Sequence, residues 1–280
     1  MVQVIKANGE SQQFSDQKVK YSIKRAGISE DLQDQVLAHV KSKLYEDIPT
    51  SEIYHHITEF LTTADKPYEK ARYSLKQAIM DLGPTGYPFE DFVAEIFKAL
   101  GYTTQTRVIM QGTCITHEID VLAEKDGKKS IIEAKFHNSS GTRSDVHVPM
   151  YMKSRFEDLK VRNDIAEVMI VTNTKATLDA ITYGACIGMK IISWGLPESE
   201  SLRDLVEKYN LHPITALTTL SQSQKQMLLD KSIVVCKDLL ENQEHLQVLG
   251  LPEEKKQAVI AELTFICQSN TVSSASLTRS

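Results

Sequence analysis

The sequence predicts a multidomain chain of α+β and α/β character. Its parts are a β-hairpin with helices, then a mixed sheet flanked by helices, then a small helical unit. Three observations carry this. A hairpin turn at Asn8-Gly9 leads into several stretches of helical periodicity. Two alternating apolar runs flank Lys125-Asp126-Gly127-Lys128. Leucines recur at helical spacing from Leu217 to Leu263. A chain of 280 residues that is 41% hydrophobic can bury two or three cores. Expected boundaries are 1–82 for the first domain, 83–87 for a linker, 88–196 for the sheet domain, 197–268 for the helical domain and 269–280 for a disordered tail.

In the first domain, Val2 and Val4 alternate with polar residues up to the turn, and Phe14 ends the returning strand. Ser15 is placed to cap a helix that Gly27 closes. A second helix is expected over about 31–44. Thr50-Ser51-Glu52 is expected to cap a third, with Ile53, Ile57 and Leu61 on one face, and a fourth carries Ala71, Tyr73 and Leu75. Gly83-Pro84-Thr85-Gly86-Tyr87-Pro88 is rich in residues that stop helices, which marks the linker.

The sheet domain opens with a helix over Pro88–Tyr102. His117 to Phe136 then reads as two strands joined by an Asp-Gly turn. Alternation puts Glu133 and Lys135 on one face, and Ile132, Ala134 and Phe136 on the other. Further on, a helix is expected over 143–160, a buried strand over 168–173, a helix over 177–187 and a strand over 189–194. Ile191, Ile192 and Trp194 are expected in the core. In the last part, two short helix pairs joined by tight turns are expected, one at Leu249-Gly250-Leu251 and one at Lys231-Ser232.

Composition narrows the function classes. The net charge of −5 argues against a broadly basic surface, so a nucleic-acid contact would be a local patch. Cys114, Cys186, Cys236 and Cys267 are far apart, which excludes a zinc ribbon of the usual form and a disulfide framework. They are expected to be reduced and buried. Without an apolar leader core or a bilayer-length apolar segment, a cytoplasmic protein with no membrane role is expected.

The chemistry centres on the hairpin. Pairing of its strands can bring Asp120 close to Glu133, beside Lys135. Two carboxylates attract a hard cation such as Mg²⁺ or Mn²⁺, and a lysine beside them can orient an attacking water. Glu-x-Lys alone is weak in a chain that is 25% charged, and a surface ion pair would be the ordinary reading. Apolar flanks and the aspartate one hairpin away set this occurrence apart.

At Asp120, Glu133 and Lys135 the sequence resembles the restriction-endonuclease-like nucleases, nearest their Mrr-like branch. Ile119 stands where many members have proline. The resemblance implies that the preceding helix supplies a further acid, which Glu90 matches. His137, in the polar loop that follows, would touch the scissile phosphate or is a solvated loop histidine. Lys153 and Arg155 are candidate DNA contacts, or else part of a solvated helix face.

The first domain resembles the ATP cone, the nucleotide-sensing module of ribonucleotide reductases and their repressor. Val4-Ile5-Lys6-Ala7-Asn8-Gly9, Phe14, Lys18, Thr50-Ser51-Glu52-Ile53 and Ala71-Arg72-Tyr73 carry the likeness. It implies that Val4, Lys6 and Lys18 contact ATP or dATP. Ala7 and Tyr54 depart from the pattern, which usually has arginine and histidine there. The C-terminal pairs are similar to a helix-hairpin-helix module that binds DNA backbone, with Lys231-Ser232 where one glycine belongs; a packing or oligomerisation domain reads as well.

These readings lead to the expectation of a metal-dependent DNA endonuclease under nucleotide control, acting as a homo-oligomer. The alternative is a catalytically inactive, nucleotide-responsive DNA-binding or scaffold protein that kept the nuclease fold.

Overall fold

The computed structural model describes residues 2–7, 9–64 and 68–268. Asn8 of the expected turn and the expected tail from Ser269 lie outside them. The fold is a multidomain α+β arrangement, and its contacts separate two compact units. One comprises residues up to 75 with 216–219 and those from 252 on; the other comprises 76–215 and 220–251. The helical residues after 197 are thus divided between the two.

In the first unit, β1 (Gln3–Ile5) pairs antiparallel with β2 (Ser11–Gln13), Val4 opposite Gln12. Ser15 caps α1 (Asp16–Arg25) by accepting from the Lys18 N–H, and Gly27 closes the turn at φ +73°. After α2 (Glu30–Ser42) comes β3 (Ile48–Pro49), parallel to β1. It was not expected, because two residues ending in proline carry no strand periodicity. Thr50 does not cap α3 (Thr50–Thr63); it lies inside the helix, and the cap position is Pro49, without a side-chain bond. The expected fourth helix is two, α4 (Glu69–Tyr73) and α5 (Leu75–Met80). Ile23, Val36, Val40, Ile48, Ile57 and Leu61 fill the core of the unit.

In the second unit the linker residues are packed. A side chain at Gly83 would collide with Phe136 and Asn138. Helix α6 (Tyr87–Ala99) takes proline in its first turn, where no amide hydrogen is needed, and buries Phe89, Phe92 and Phe97. Phe89 meets Phe136 of the sheet with ring centroids 5.4 Å apart. Strand β4 (Thr103–Gln111) follows and was not expected. None of its residues is fully buried, so the alternation that betrays a strand is muted.

Next come β5 (Thr116–Lys125) and β6 (Lys128–Lys135), joined by Asp126 and Gly127 at φ +51° and +74°. Two positive φ values are what a two-residue type I′ hairpin needs. Arg143–Ser144, expected as helix, is strand β7; helix α7 is His147–Lys160. Asp145 accepts from the His147 N–H ahead of it, and Pro149 falls in its first turn. The unit continues through β8 (Ile165–Thr172), β9 (Lys175–Ala176), α8 (Leu178–Cys186) and β10 (Lys190–Ile192). β9 pairs with β7 in a second small sheet.

The main sheet has the order β10-β8-β6-β5-β4, antiparallel at the β4 end and parallel from β6 to β10. Met152 and Leu159 of α7 pack with Ile131, Ile165 and Ile170. Trp194 is not in the core: it is half-buried, with the Lys76 ammonium 4.4 Å above its ring.

Helices α9 (Leu202–Tyr209), α10 (Gln222–Leu229), α11 (Cys236–Glu241) and α12 (Glu253–Cys267) complete the chain, with a 3₁₀ turn over Gln243–Leu249. Ser232 and Gly250 both take left-handed backbone, φ +57° and +56°, so the serine does the turning expected of a glycine. Cys236 is buried as expected, but Cys114 and Cys186 are exposed; none of the four is in a disulfide. No helix among the described residues is long and apolar enough to cross a membrane.

Candidate active site

Asp120 and Glu133 stand one rung beyond the paired Val121 and Ile132, so the register sets them opposite each other. Asp120 Oδ2 accepts from the Ala134 N–H at 2.8 Å, a bond that fixes the carboxylate against β6. Glu133 Oε2 accepts from Arg155 at 3.0 Å, with both side chains largely shielded. Burial raises the pKa of both carboxyls. The charge of Asp120 raises Glu133 further, while Arg155 and Lys135 pull both back.

Glu90 enters from the first turn of α6. Its carboxyl is pushed up to about 7, first by burial and then by the Asp120 charge, against the opposing pull of Arg107. Arg107 lies on β4 between the residues that pair with Val121 and Ile119, which puts it level with Asp120. Its backbone is left-handed at φ +55°. The guanidinium spans two acids of α6, 3.3 Å from Glu90 and 2.7 Å from Asp91. Sequence reasoning passed over both Arg107 and Asp91; a doublet of acids in the first turn of a helix was the available signal for Asp91.

The remaining expected residues divide. Lys135 follows Glu133 on the same face of β6 and acts electrostatically on both carboxylates. His137 is not a solvated loop residue: its ring bonds the Ser144 hydroxyl at 2.9 Å and its N–H donates to Asn173. Burial, then the Lys135 charge, lowers its pKa. Arg155 is the partner of Glu133 rather than an exposed cation, and Lys153 pairs with Glu157 on the surface.

Two supports hold this arrangement. Asp158, near the end of α7, accepts from the Cys114 and Ile115 N–H groups and from His117 at 2.8 Å. Those bonds, the His117 one foremost, hold its carboxyl well below the usual range. Gly112 has no room for a side chain against it. The β4–β5 connection is thereby tied to α7, the helix that carries Arg155. On the other flank, Lys76 donates to the Asn173 carbonyl and is pushed down to about 8 by burial and by Lys175.

The first unit holds a cavity of about 150 Å³. Val4 and Lys18, both expected to contact nucleotide, line it together with Phe14, Ser22, Tyr54 and Tyr73. The rings of Tyr54 and Tyr73 stack 5.5 Å apart. Lys6 does not line it and instead bonds Glu10 at 2.8 Å.

Separate family models match the cavity-bearing and the carboxylate-bearing parts of the chain. The ATP cone domain model matches residues 2–79, a restriction endonuclease model matches 84–194, and an AF1548-like C-terminal model matches 212–267. An uncharacterized protein of Archaeoglobus fulgidus is 36% identical over 171 residues, which is 61% of this chain and 97% of that protein. The crystal structure of the protein of unknown function AF1548 superposes with a TM-score of 0.57 at 35% identity, over 65% of this chain and 98% of that one. Can2 from Sulfobacillus thermosulfidooxidans, solved with cyclic tetra-adenylate, shares 12% identity at a TM-score of 0.30 over 66% of this chain and 60% of its own, too distant to bear on the site.

Proposed function

The chain belongs to the AF1548-like proteins, here with an ATP cone ahead of a restriction-endonuclease domain, and on that premise we propose a divalent-metal-dependent DNA endonuclease controlled by ATP or dATP. The observation that carries the proposal is the placing of Asp120 opposite Glu133 on paired strands, with Lys135 beside them and Glu90 near enough for the Asp120 charge to raise its pKa.

The paired carboxylates of Asp120 and Glu133 offer only oxygen donors, which suits a hard cation, and their raised pKa values mean that their charge is poorly compensated by the protein alone. Asp120 and Glu133 would hold Mg²⁺ or Mn²⁺, with Glu90 as a third acid. When bound, the ion supplies charge neutralisation at the phosphate and a more acidic attacking water. Lys135 would orient the attacking water and stabilise the negative charge that develops as its oxygen bonds phosphorus, the P–O bond to the leaving oxygen breaks and the water's proton ends, by way of solvent, on that leaving oxygen. Arg155 and Arg107 hold Glu133 and Glu90 in place. His137, which feels the Lys135 charge, would contact the phosphate.

In the first unit, the stacked tyrosines and hydroxyls suit a purine base, and Lys18 suits a phosphate oxygen as a point charge. Occupancy of this cavity would act on the nuclease by favouring one oligomeric state or one orientation of the nuclease unit, to the extent that the ligand binds one state better.

The Arg155–Glu133 pair favours a second reading, since it already neutralises one would-be ligand: a scaffold that binds nucleotide and DNA without cutting. Cleavage of supercoiled, linear and methylated plasmid with Mg²⁺ or Mn²⁺, with and without ATP, tests the two beside Asp120→Asn and Lys135→Ala. Cutting that disappears in both variants supports the nuclease. Absence of cutting, joined to calorimetry in which Asp120→Asn changes no Mg²⁺ or Mn²⁺ binding, rejects it for the scaffold.

A further inference from the structure

Away from the carboxylate cluster, within the first unit, His39 of α2 meets His56 and Glu59 of α3. One ligand-capable atom from each lies within 4.8 Å of the others. Glu59 Oε2 is 3.8 Å from His39 Nε2 and 3.5 Å from His56 Nδ1. Neither of those two buried nitrogens has a hydrogen-bond partner among the described residues. Buried ring nitrogens are normally satisfied, so a pair of them facing one carboxylate oxygen needs a reason.

We propose that His39, His56 and Glu59 form a binding site for a divalent transition metal of the zinc class, clamping α2 to α3. Ligands about 2.0–2.1 Å from a tetrahedral zinc lie roughly 3.4 Å from one another, close to the separations here. Two imidazoles and a carboxylate are a zinc-type donor set, whereas Mg²⁺ favours oxygen alone. His56 also carries the outer support such sites have. Its other nitrogen, Nε2, lies 3.6 Å from Glu52 Oε1, and the Tyr45 hydroxyl donates to that carboxylate at 2.7 Å. A carboxylate close to the far nitrogen favours the tautomer with the proton there, which leaves Nδ1 to ligate.

The site does not depend on the nuclease reading. None of its three ligands lines the nucleotide cavity, to which α3 contributes Ile53, Tyr54 and Ile57. The metal would therefore brace the helix that forms one wall of that cavity.

The test is titration of the chelator-treated full-length chain with Zn²⁺, beside His39→Ala, His56→Ala, Glu59→Gln and Asp120→Asn. One equivalent of zinc should bind at submicromolar concentration in the wild type and in Asp120→Asn. Affinity should fall at least about a hundredfold when a histidine is removed, and about 10–100-fold in Glu52→Gln. If a histidine variant fails to fold, Glu59→Gln and the Co²⁺ spectrum decide. The spectrum should show four-coordinate visible bands without thiolate charge transfer, and these should weaken in Glu59→Gln. No zinc binding at micromolar concentration, binding unchanged in the His39, His56 or Glu59 variants, or a thiolate signature would overturn the proposal.

Discussion

The carboxylate cluster of the second unit gathers three acids against two arginines and a lysine, whereas the cavity of the first is walled by valine, phenylalanine, tyrosines and hydroxyls, with Lys18 as the cation among its lining residues. In the cluster, burial and like charge leave the acids holding protons more tightly than free carboxylates do. In the cavity, shape and ring stacking dominate. On the proposed reading, the first captures positive charge and the second a flat ring with a phosphate at its edge. Changes at the cluster should therefore be all-or-none in chemistry, while changes at the cavity should grade affinity.

The largest effect is expected at Asp120. Asp120→Asn keeps the shape and the Ala134 contact but removes a ligand charge, so cleavage should fall roughly a thousandfold, as when a principal charge stabiliser is lost. Nucleotide affinity, measured by calorimetry on the same variant, should not change. A parallel loss of nucleotide binding would show that the two sites are not the separate devices described here.

A buried acid with a purely structural role sharpens the contrast. Glu262 of α12 is fully buried and accepts from the N–H and hydroxyl of both Thr218 and Thr219. Each of its carboxyl oxygens accepts two hydrogen bonds, whereas Asp120 accepts one from the Ala134 N–H and Glu90 has a 3.3 Å contact with Arg107. Glu262→Ala strands those donors and should cost about 3 kcal/mol in chemical denaturation, whereas Asp120→Asn should leave stability the same or higher. Equal losses in the two variants would contradict the distinction.

At the cavity, Lys18→Ala should weaken ATP binding about tenfold, near 1.4 kcal/mol, without abolishing it. Lys6→Ala should have less effect, because Lys6 stands outside the cavity and pairs with Glu10. A larger effect at Lys6 would restore the role the sequence assigned to it.

The unequal legibility of the two regions has a physical cause. The hairpin around Asp126-Gly127 was readable because period-two burial and a two-residue turn leave strong local marks, and strand pairing then fixes Asp120 opposite Glu133. Strand β4 left no such mark, since it lies at a sheet edge with no fully buried residue, and Arg107 was missed along with it. Arg155 was legible as a cation on a helix, but its direction depends on how α7 lies on the sheet. Packing turned it toward Glu133 instead of solvent. In the first unit, the cavity joins β1, β2, α1, α3 and Tyr73, so residues such as Ser22 and Tyr73 could be grouped only by the fold.

A pH dependence of stability probes the cluster without any assay of cutting. Glu90 titrates near 7 in the folded chain against an ordinary 4.5, with burial the larger cause. Between those values the folded state keeps a proton that the unfolded chain has released. The stability this contributes is complete below the unfolded value and is lost as pH rises through the folded one. Glu90→Gln cannot ionise, so in chelator it should gain stability relative to wild type as pH rises from about 5 to about 7, and the difference should then level off. Mg²⁺ should reverse the ranking at neutral pH, because an ion that binds the charged cluster displaces the proton and stabilises the wild type more than the variant. Denaturation curves for the two proteins that stay parallel across this range, with and without Mg²⁺, would mean that Glu90 does not share its charge with the cluster, leaving Asp120 and Glu133 as its acids.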